Sequence, residues 1–330
     1  MTDEHEVDPN EICQRGFVTV KDVRAMRKSY YAEGIVTAEE ADALFAINDH
    51  CRNVTPEWND LFVEAVTDYI VHQAEPAGYV TLENADWLLE RISAEGVVQS
   101  MTELELIVHV IEQARWVPER LVRYALEQVK HAVVSGTGPL RVNGMLEPGL
   151  VTASEIALLR RILYAFGGDR SVGVSKAEAE ILLDINDATD ELLNDPAWAD
   201  LFVKAIANHL MAASGYKVPS RETALREAEW LEERDGIEGF MGKMLQGGLK
   251  AVWESYRVQD AEALALARIE RQRIAIVTSE AITEPEAKWL AERIGRNGRI
   301  SEAERALLRF IKAESPRIDP ALLPMLDKAA

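Results

Sequence analysis

The stretch GIVTAEEADALFAIND, from Gly34 to Asp49, returns nearly intact as VGVSKAEAEILLDIND, from Val172 to Asp187. Both copies contain a Ser or Thr, a Glu three residues later, and then apolar residues at helical spacing. A Ser or Thr followed by Glu at this spacing is the capping box that begins an α-helix. Repetition of such a stretch predicts a protein built by copying one helical unit.

The capping box marks four helix starts along the chain. Its members are Thr37 with Glu40, Ser100 with Glu103, Ser175 with Glu178, and Ser301 with Glu304. An earlier helix opens after a Thr or Ser in each copy, and a third helix follows, beginning at Pro56 in the first copy and at Pro196 in the third. This order predicts repeated three-helix units. They span Gly16–Ala74, Gly78–Val134, Gly149–Ala213 and Ile276–Leu326, with a degenerate unit between Tyr216 and Val258.

The predicted fold is all-α with two lobes, because strand patterns are absent apart from short Val or Ile pairs at helix edges. Residues 1–15 are polar and acidic, which predicts a flexible N-terminal tail. The stretch 135–148 is rich in Gly and Pro without periodicity and predicts a linker. The first lobe is then 16–134 and the second lobe 149–330.

The composition favours a globular cytoplasmic protein that does not bind nucleic acid. Hydrophobic residues make up 48% of the 330 residues, which is enough for a packed core. A formal net charge of −20 opposes binding to nucleic acid phosphates or to an anionic membrane. The start of the chain is too acidic for a signal peptide, no apolar run is long enough to span a membrane, and the two cysteines are expected to be reduced.

The turn between the first two helices of a unit matches part of a calcium-binding loop. SYYAEGIVTAEE, from Ser29 to Glu40, has Gly34 at the sixth position and Glu40 at the twelfth, and RIGRNGRISEAE, from Arg293 to Glu304, has the same frame. This frame resembles the EF-hand family, and the acidic helical turns are also similar to those of the tellurite-resistance TerB-like family. The EF-hand resemblance implies a helix–loop–helix that binds calcium through the final Glu.

The ligand positions of these loops argue against calcium. The first and third positions hold Ser29 and Tyr31 in one loop, and Arg293 and Gly295 in the other. Calcium needs six or more oxygen ligands, and capping already accounts for the repeated Glu. We therefore expect no metal and no cofactor, and keep a divalent-metal sensor as the alternative.

Other repeated polar and aromatic residues favour structural roles. Asn48-Asp49 and Asn186-Asp187, with Asp60 and Asp200 nearby, could form an acidic site, but the sequence favours turns at helix ends. The tryptophans recur at equivalent places and predict core packing. In the W-L-x-E-R motif, which begins at Trp87, Trp230 and Trp289, we expect Glu and Arg to face solvent.

The stretch from Gly236 to Tyr256 interrupts the repeat and is the best candidate for binding a partner. Its apolar stripe includes Phe240, Met241, Met244, Leu249 and Trp253. Packing in the core of the degenerate unit is the favoured alternative, and contact with a membrane surface is disfavoured because few Lys residues flank the stripe.

The sequence carries no nucleotide-binding, metalloprotease or hydrolase motif. It predicts a non-enzymatic protein-binding or scaffold module, with a metal sensor and an enzyme with a site between the lobes as alternatives.

Overall fold

The computed structural model describes residues 8–31, 36–51, 54–94, 96–141, 148–165, 173–212, 282–315 and 318–328. Within these ranges the chain is mostly helical, and the regular strands are confined to one short hairpin. The predicted all-α class is therefore confirmed. Gly34 and the degenerate unit lie outside the described residues.

The described residues contain thirteen α-helices. In the first 150 residues they are α1 Pro9–Arg15, α2 Val20–Tyr30, α3 Ala38–His50, α4 Pro56–Thr67, α5 Leu82–Ile92, α6 Met101–Gln113 and α7 Glu119–Ser135. A π-helical turn, Asp68–Gln73, continues α4, and a 3₁₀ turn, Pro139–Arg141, follows α7. The strands β1 Ser93–Ala94 and β2 Val97–Val98 pair antiparallel between α5 and α6. The later helices are α8 Ala153–Tyr164, α9 Lys176–Thr189, α10 Ala197–Ala212, α11 Glu284–Arg293, α12 Glu302–Glu314 and α13 Leu323–Lys328.

The chain divides into two compact units. Unit 1 comprises Met1–Leu150 with Ala157–Asp169, and unit 2 comprises Val151–Ile156 with Arg170–Ala330. This division differs from the expected lobes, because residues 157–169 belong to unit 1. Arg161 explains the difference: its guanidinium donates to Glu105 and Glu112 of α6 at 2.6–2.8 Å, which holds the second half of α8 against unit 1.

All four predicted capping boxes are present. In each box the Ser or Thr side chain accepts from the backbone N–H three residues later, and the Glu carboxylate accepts from the backbone N–H of the capping residue. Pro56 begins α4 as predicted, and α10 begins one residue after Pro196. These helix starts depend on residues three positions apart, which is why the sequence located them correctly.

The predicted N-terminal tail, residues 1–15, contains a helix, because Pro9–Arg15 forms α1. Asp8 caps this helix, and Gly16 ends it in the left-handed conformation at φ 74°. Ile12 is 2% exposed, and α1 packs on α3. One buried apolar residue in an otherwise polar stretch is too weak a signal for a periodicity argument.

The described part of the predicted linker packs against unit 1. The turn Pro139–Arg141 contacts α6 and α7, and the buried Arg141 donates to the carbonyl of Leu150 at 2.6 Å. Gly136 adopts φ 68° beside Pro148, where a Cβ atom would lie 2.7 Å from the proline ring. These residues therefore form a folded connection within unit 1.

One pair of helices makes the main packing contact in each unit. In unit 1, α4 packs on α6, and in unit 2, α10 packs on α12. Trp58 and Phe62 of α4 are fully buried, as are Trp198 and Phe202 of α10. The predicted core role is therefore confirmed for these two tryptophans.

Candidate functional site

The predicted partner-binding residues lie outside the described part of the chain. They are Phe240, Met241, Met244, Leu249 and Trp253. Several charged and polar side chains that are buried or partly buried lie where helices meet within each unit. We call the contact of α3 and α4 with α5 and α6 interface 1, and the contact of α9 and α10 with α11 and α12 interface 2.

Arg293 is the central charge of interface 2. Its side chain is 7% exposed, and its Nη2 donates to Asp184 Oδ1 at 2.8 Å. Its Nε lies 3.1 Å from Glu180 Oε2, and Nη2 lies 3.9 Å from Asp187 Oδ2. The expectation that this Arg of the W-L-x-E-R motif faces solvent was wrong. Acidic residues at positions i, i+4 and i+7 of α9 form one face of that helix and draw the guanidinium into the interface.

Arg91 occupies the equivalent place in interface 1 but remains partly in solvent. Its Nη2 donates to Asp42 Oδ1 at 2.6 Å, and the side chain is 28% exposed. The guanidinium also lies over the Trp87 ring, 4.1 Å from its centroid. Asp42 and Glu180 hold the same position in the two sequence copies, so the two interfaces use an equivalent ion pair.

Asn48 and Asn186 connect each interface to a capping box. Asn48 Nδ2 donates to Glu103 Oε1 at 3.2 Å, and Asn186 Nδ2 donates to Ser301 Oγ at 3.0 Å. Asn186 Oδ1 also accepts from Trp198 Nε1 at 3.4 Å. The predicted role as helix terminators was wrong, because both residues are helical. Each Asn instead holds the start of a neighbouring helix.

An aromatic contact recurs beside these polar ones. The Tyr69 and Trp87 rings meet edge-on in interface 1 with centroids 5.4 Å apart, and the His209 and Trp289 rings do so in interface 2 at 5.0 Å. His209 Nδ1 lies 2.9 Å from the Val174 carbonyl and donates to it. Burial lowers the pKa of His209, although the bond to Val174 opposes this shift.

Two carboxyl groups of interface 2 are held in a poorly solvated environment. Burial raises the pKa of Asp187 to about 6; Arg293 opposes the shift, while Glu304 and Asp184 add to it. The Asp187 Oδ1 atom is buried and has no hydrogen-bond partner. Glu304 is 1% exposed, but its Oε1 accepts from the Gly295 N–H at 2.9 Å and its Oε2 from the Ser301 N–H at 2.7 Å.

The equivalent carboxyl groups of interface 1 are shifted in the same direction. Burial raises the pKa of Asp49, and the nearby His50 opposes this shift. Burial also raises the pKa of Glu103, with the Asp49 charge adding to it and bonds from the Gln99 and Ser100 backbone opposing it. Both interfaces therefore place the Asp of an Asn-Asp pair near the carboxylate of a capping box.

The other predicted acidic residues do not join these groups. Asp200 lies on the exposed side of α10 and accepts from Lys204 at 2.8 Å. Asp60 is exposed on α4; burial raises its pKa, Arg27 opposes the shift, and Glu57 and Glu64 add to it.

Amide side chains from the third helices hold the turns, a feature that the sequence reasoning missed. Gln73 accepts from the Val36 N–H at 2.8 Å, Gln128 from the Val98 N–H at 3.1 Å, and Asn208 from the Val174 N–H at 2.7 Å. A Gln or Asn late in each third helix was the available signal. The amide positions do not align between copies, which concealed the shared role.

The described residues do not bring together three His, Cys, Asp or Glu side chains that could hold a metal ion. The Glu at the twelfth loop position instead accepts backbone N–H groups in both loops, through Glu40 and Glu304. The arrangement can therefore hold helices together and respond to protonation.

Comparison with known proteins finds no matching family, no matching curated protein and no matching solved structure. Among the described helices, none is long and apolar enough to cross a membrane.

Proposed function

We propose that the chain is a non-enzymatic, acidic helical-repeat protein that binds or scaffolds another protein in the cytoplasm. In this proposal the two lobes are each built from repeated three-helix units of the EF-hand-like or TerB-like kind, two in the first lobe and three in the second. Repeat proteins bury the apolar face of each unit on its neighbour and leave extended surfaces for partners.

The observation that supports this proposal best is the recurrence of one set of contacts in interfaces 1 and 2. Arg91 with Asp42 corresponds to Arg293 with Glu180. The Asn contacts to the capping boxes and the ring contacts of Trp87 and Trp289 also correspond. These polar side chains hold helices in place, which favours a structural over a catalytic use.

The charge distribution favours a partner with a basic surface. Between Met1 and Leu150 there are 26 Asp and Glu residues against 12 Lys and Arg. On α4, Glu57, Asp60 and Glu64 are exposed along one side, and Arg27 lies 2.6 Å from Glu64. Exposed acidic groups steer a basic partner and make its binding sensitive to salt.

A charge-neutralised variant of α4 tests the proposal. Full-length protein and the variant Glu57→Gln, Asp60→Asn, Glu64→Gln would be cross-linked in cell lysate at low and high salt, and the captured proteins identified by mass spectrometry. We expect the wild type to retain a specific basic protein at low salt and the variant to lose most of it.

The matched control is the variant Asp200→Asn, Glu284→Gln, Glu302→Gln, which removes the same charge from exposed positions of unit 2. We expect it to retain the partner. Equal loss in both variants, or no specific protein captured at either salt concentration, would contradict the proposal.

A further inference from the structure

Asp187 occupies a position where an ionised carboxylate is poorly satisfied. It lies on α9 at interface 2, and its side chain is 20% exposed. Its Oδ1 atom is buried without a hydrogen-bond partner, and its Oδ2 atom lies 3.9 Å from Arg293 Nη2. A buried charged oxygen that accepts no hydrogen bond destabilises the contact that buries it.

The groups that face Asp187 do not balance its charge. Arg293 approaches from α11, Arg296 from the turn after it, Glu304 from α12, and Asp184 from the preceding turn of α9. The Arg293 guanidinium lies closer to Asp184, at 2.8 Å, and to Glu180, at 3.1 Å, than to Asp187. Interface 2 thus sets three carboxylates of one helix face against one buried guanidinium; the buried Glu304 adds a negative charge and the exposed Arg296 a positive one, so negative charge remains in excess.

We propose that Asp187 is a proton-dependent latch between α9 and the pair α11 and α12. When Asp187 is ionised, its buried oxygen and the surplus negative charge weaken interface 2. When it takes up a proton, the surplus charge falls and the new O–H can donate to a neighbouring carboxylate, so the helices hold together more tightly. The latch adds regulation by pH and is independent of the partner proposed above.

The direction of the pH dependence follows from the pKa of Asp187. Burial raises it from 3.8 to about 6 in the folded protein. A raised folded pKa gives stabilisation that is complete below the unfolded value and is lost as the pH rises through about 6. Interface 2 should therefore gain stability from this group on mild acidification.

His209 opposes this effect in the same unit and must be separated from it. Burial lowers its pKa, so its protonation at acidic pH favours the opened state. A pH series on the wild type alone would report only the sum of these two opposing effects on stability. A comparison with a variant that cannot titrate at position 187 isolates the latch.

The test measures hydrogen exchange of the α11 and α12 backbone amides at pH 7.5 and pH 5.0, corrected for intrinsic exchange rates. Wild type, Asp187→Asn and Asp200→Asn would be compared as full-length proteins. At pH 7.5 we expect Asp187→Asn to be better protected than the wild type. The ratio of protection in Asp187→Asn to protection in the wild type should fall about tenfold at pH 5.0, because the wild-type carboxyl group is itself protonated there. Asp200→Asn removes an exposed charge from the same unit, and its ratio to the wild type should not change.

A ratio for Asp187→Asn that stays the same at both pH values would overturn the proposal, as would an equal change in Asp200→Asn. Should Asp187→Asn fail to fold, carboxyl carbon NMR of the ¹³C-Asp-labelled wild type decides directly. A titration midpoint for Asp187 near 6 supports the latch, and a midpoint near 4 contradicts it.

Discussion

Interfaces 1 and 2 hold equivalent helices with equivalent residues, but they differ in how much water reaches the charges. The Arg91 side chain is 28% exposed and lies over the Trp87 ring beside one carboxylate. The Arg293 side chain is 7% exposed and lies beside three carboxylates. A charge pair in water contributes little, because solvent screens it, whereas a buried charge that loses its partner is costly. We therefore expect the loss of this contact to destabilise unit 2 more than unit 1.

The Asn contacts differ in the same direction. Asn48 is half-buried and makes one contact to Glu103, whereas Asn186 is 2% exposed and contacts both Ser301 and Trp198. In unit 1 the buried Trp58 Nε1 has no hydrogen-bond partner, while its equivalent in Trp198 donates to Asn186. Interface 2 is thus the more specifically bonded of the two.

The largest expected difference comes from removing each Arg. Arg293→Ala removes a buried guanidinium from beside three partly exposed carboxylates and should destabilise unit 2 by about 3 kcal/mol. Arg91→Ala removes a partly exposed pair and should cost less than about 1 kcal/mol in unit 1. Hydrogen exchange of α9 and α12, compared with α3 and α6, measures each loss in its own unit. Equal losses would show that burial does not distinguish the interfaces.

A smaller difference is expected for the Asn residues. Asn186→Ala leaves the Trp198 N–H without its acceptor in a buried site and should cost about 2 kcal/mol. Asn48→Ala loses a single half-buried bond and should cost about 1 kcal/mol. Urea denaturation followed by unit-resolved hydrogen exchange gives both values. A larger loss from Asn48→Ala would reverse the assignment of interface 2 as the more specifically bonded contact.

A pH-dependent difference is expected at the ring contact. The lowered pKa of His209 means that stability is present above the ordinary His value and is lost as the pH falls through the folded value. His209→Tyr installs the residue that Tyr69 provides in interface 1 and should remove this loss. The ratio of unit 2 protection in His209→Tyr to that in the wild type should rise between pH 7.5 and pH 5.5. A ratio that does not change with pH would show that His209 does not titrate in this range.

The sequence predicts those features whose signals are local. The capping boxes, the helix starts near Pro56 and Pro196, and the buried Trp58 and Trp198 depend on residues close in the chain or at one helical face. Periodicity and capping chemistry act over a few residues, so the sequence alone identifies them.

The candidate site could not be predicted in the same way, because its partners are distant in sequence. Arg293 is buried by acidic residues 106 to 113 positions earlier, and the motif that contains it reads as exposed on its own. Asn186 bonds Ser301 across 115 residues, and Ile12 is a lone apolar residue whose burial requires α3. Tertiary contacts of this kind decide whether a polar side chain faces solvent or a partner.

The central claim is that interfaces 1 and 2 are two versions of one contact, and transferring a residue between them tests it most directly. Ala46 holds the position in the first copy that Asp184 holds in the second. Ala46→Asp should therefore give Arg91 a second carboxylate, as Asp184 gives one to Arg293. A double-mutant cycle of Ala46→Asp with Arg91→Gln, measured by hydrogen exchange of α3 and α5, should yield a favourable coupling of about 0.5–1 kcal/mol. A coupling of zero, or a gain from Ala46→Asp that persists in the Arg91→Gln background, would contradict the claim.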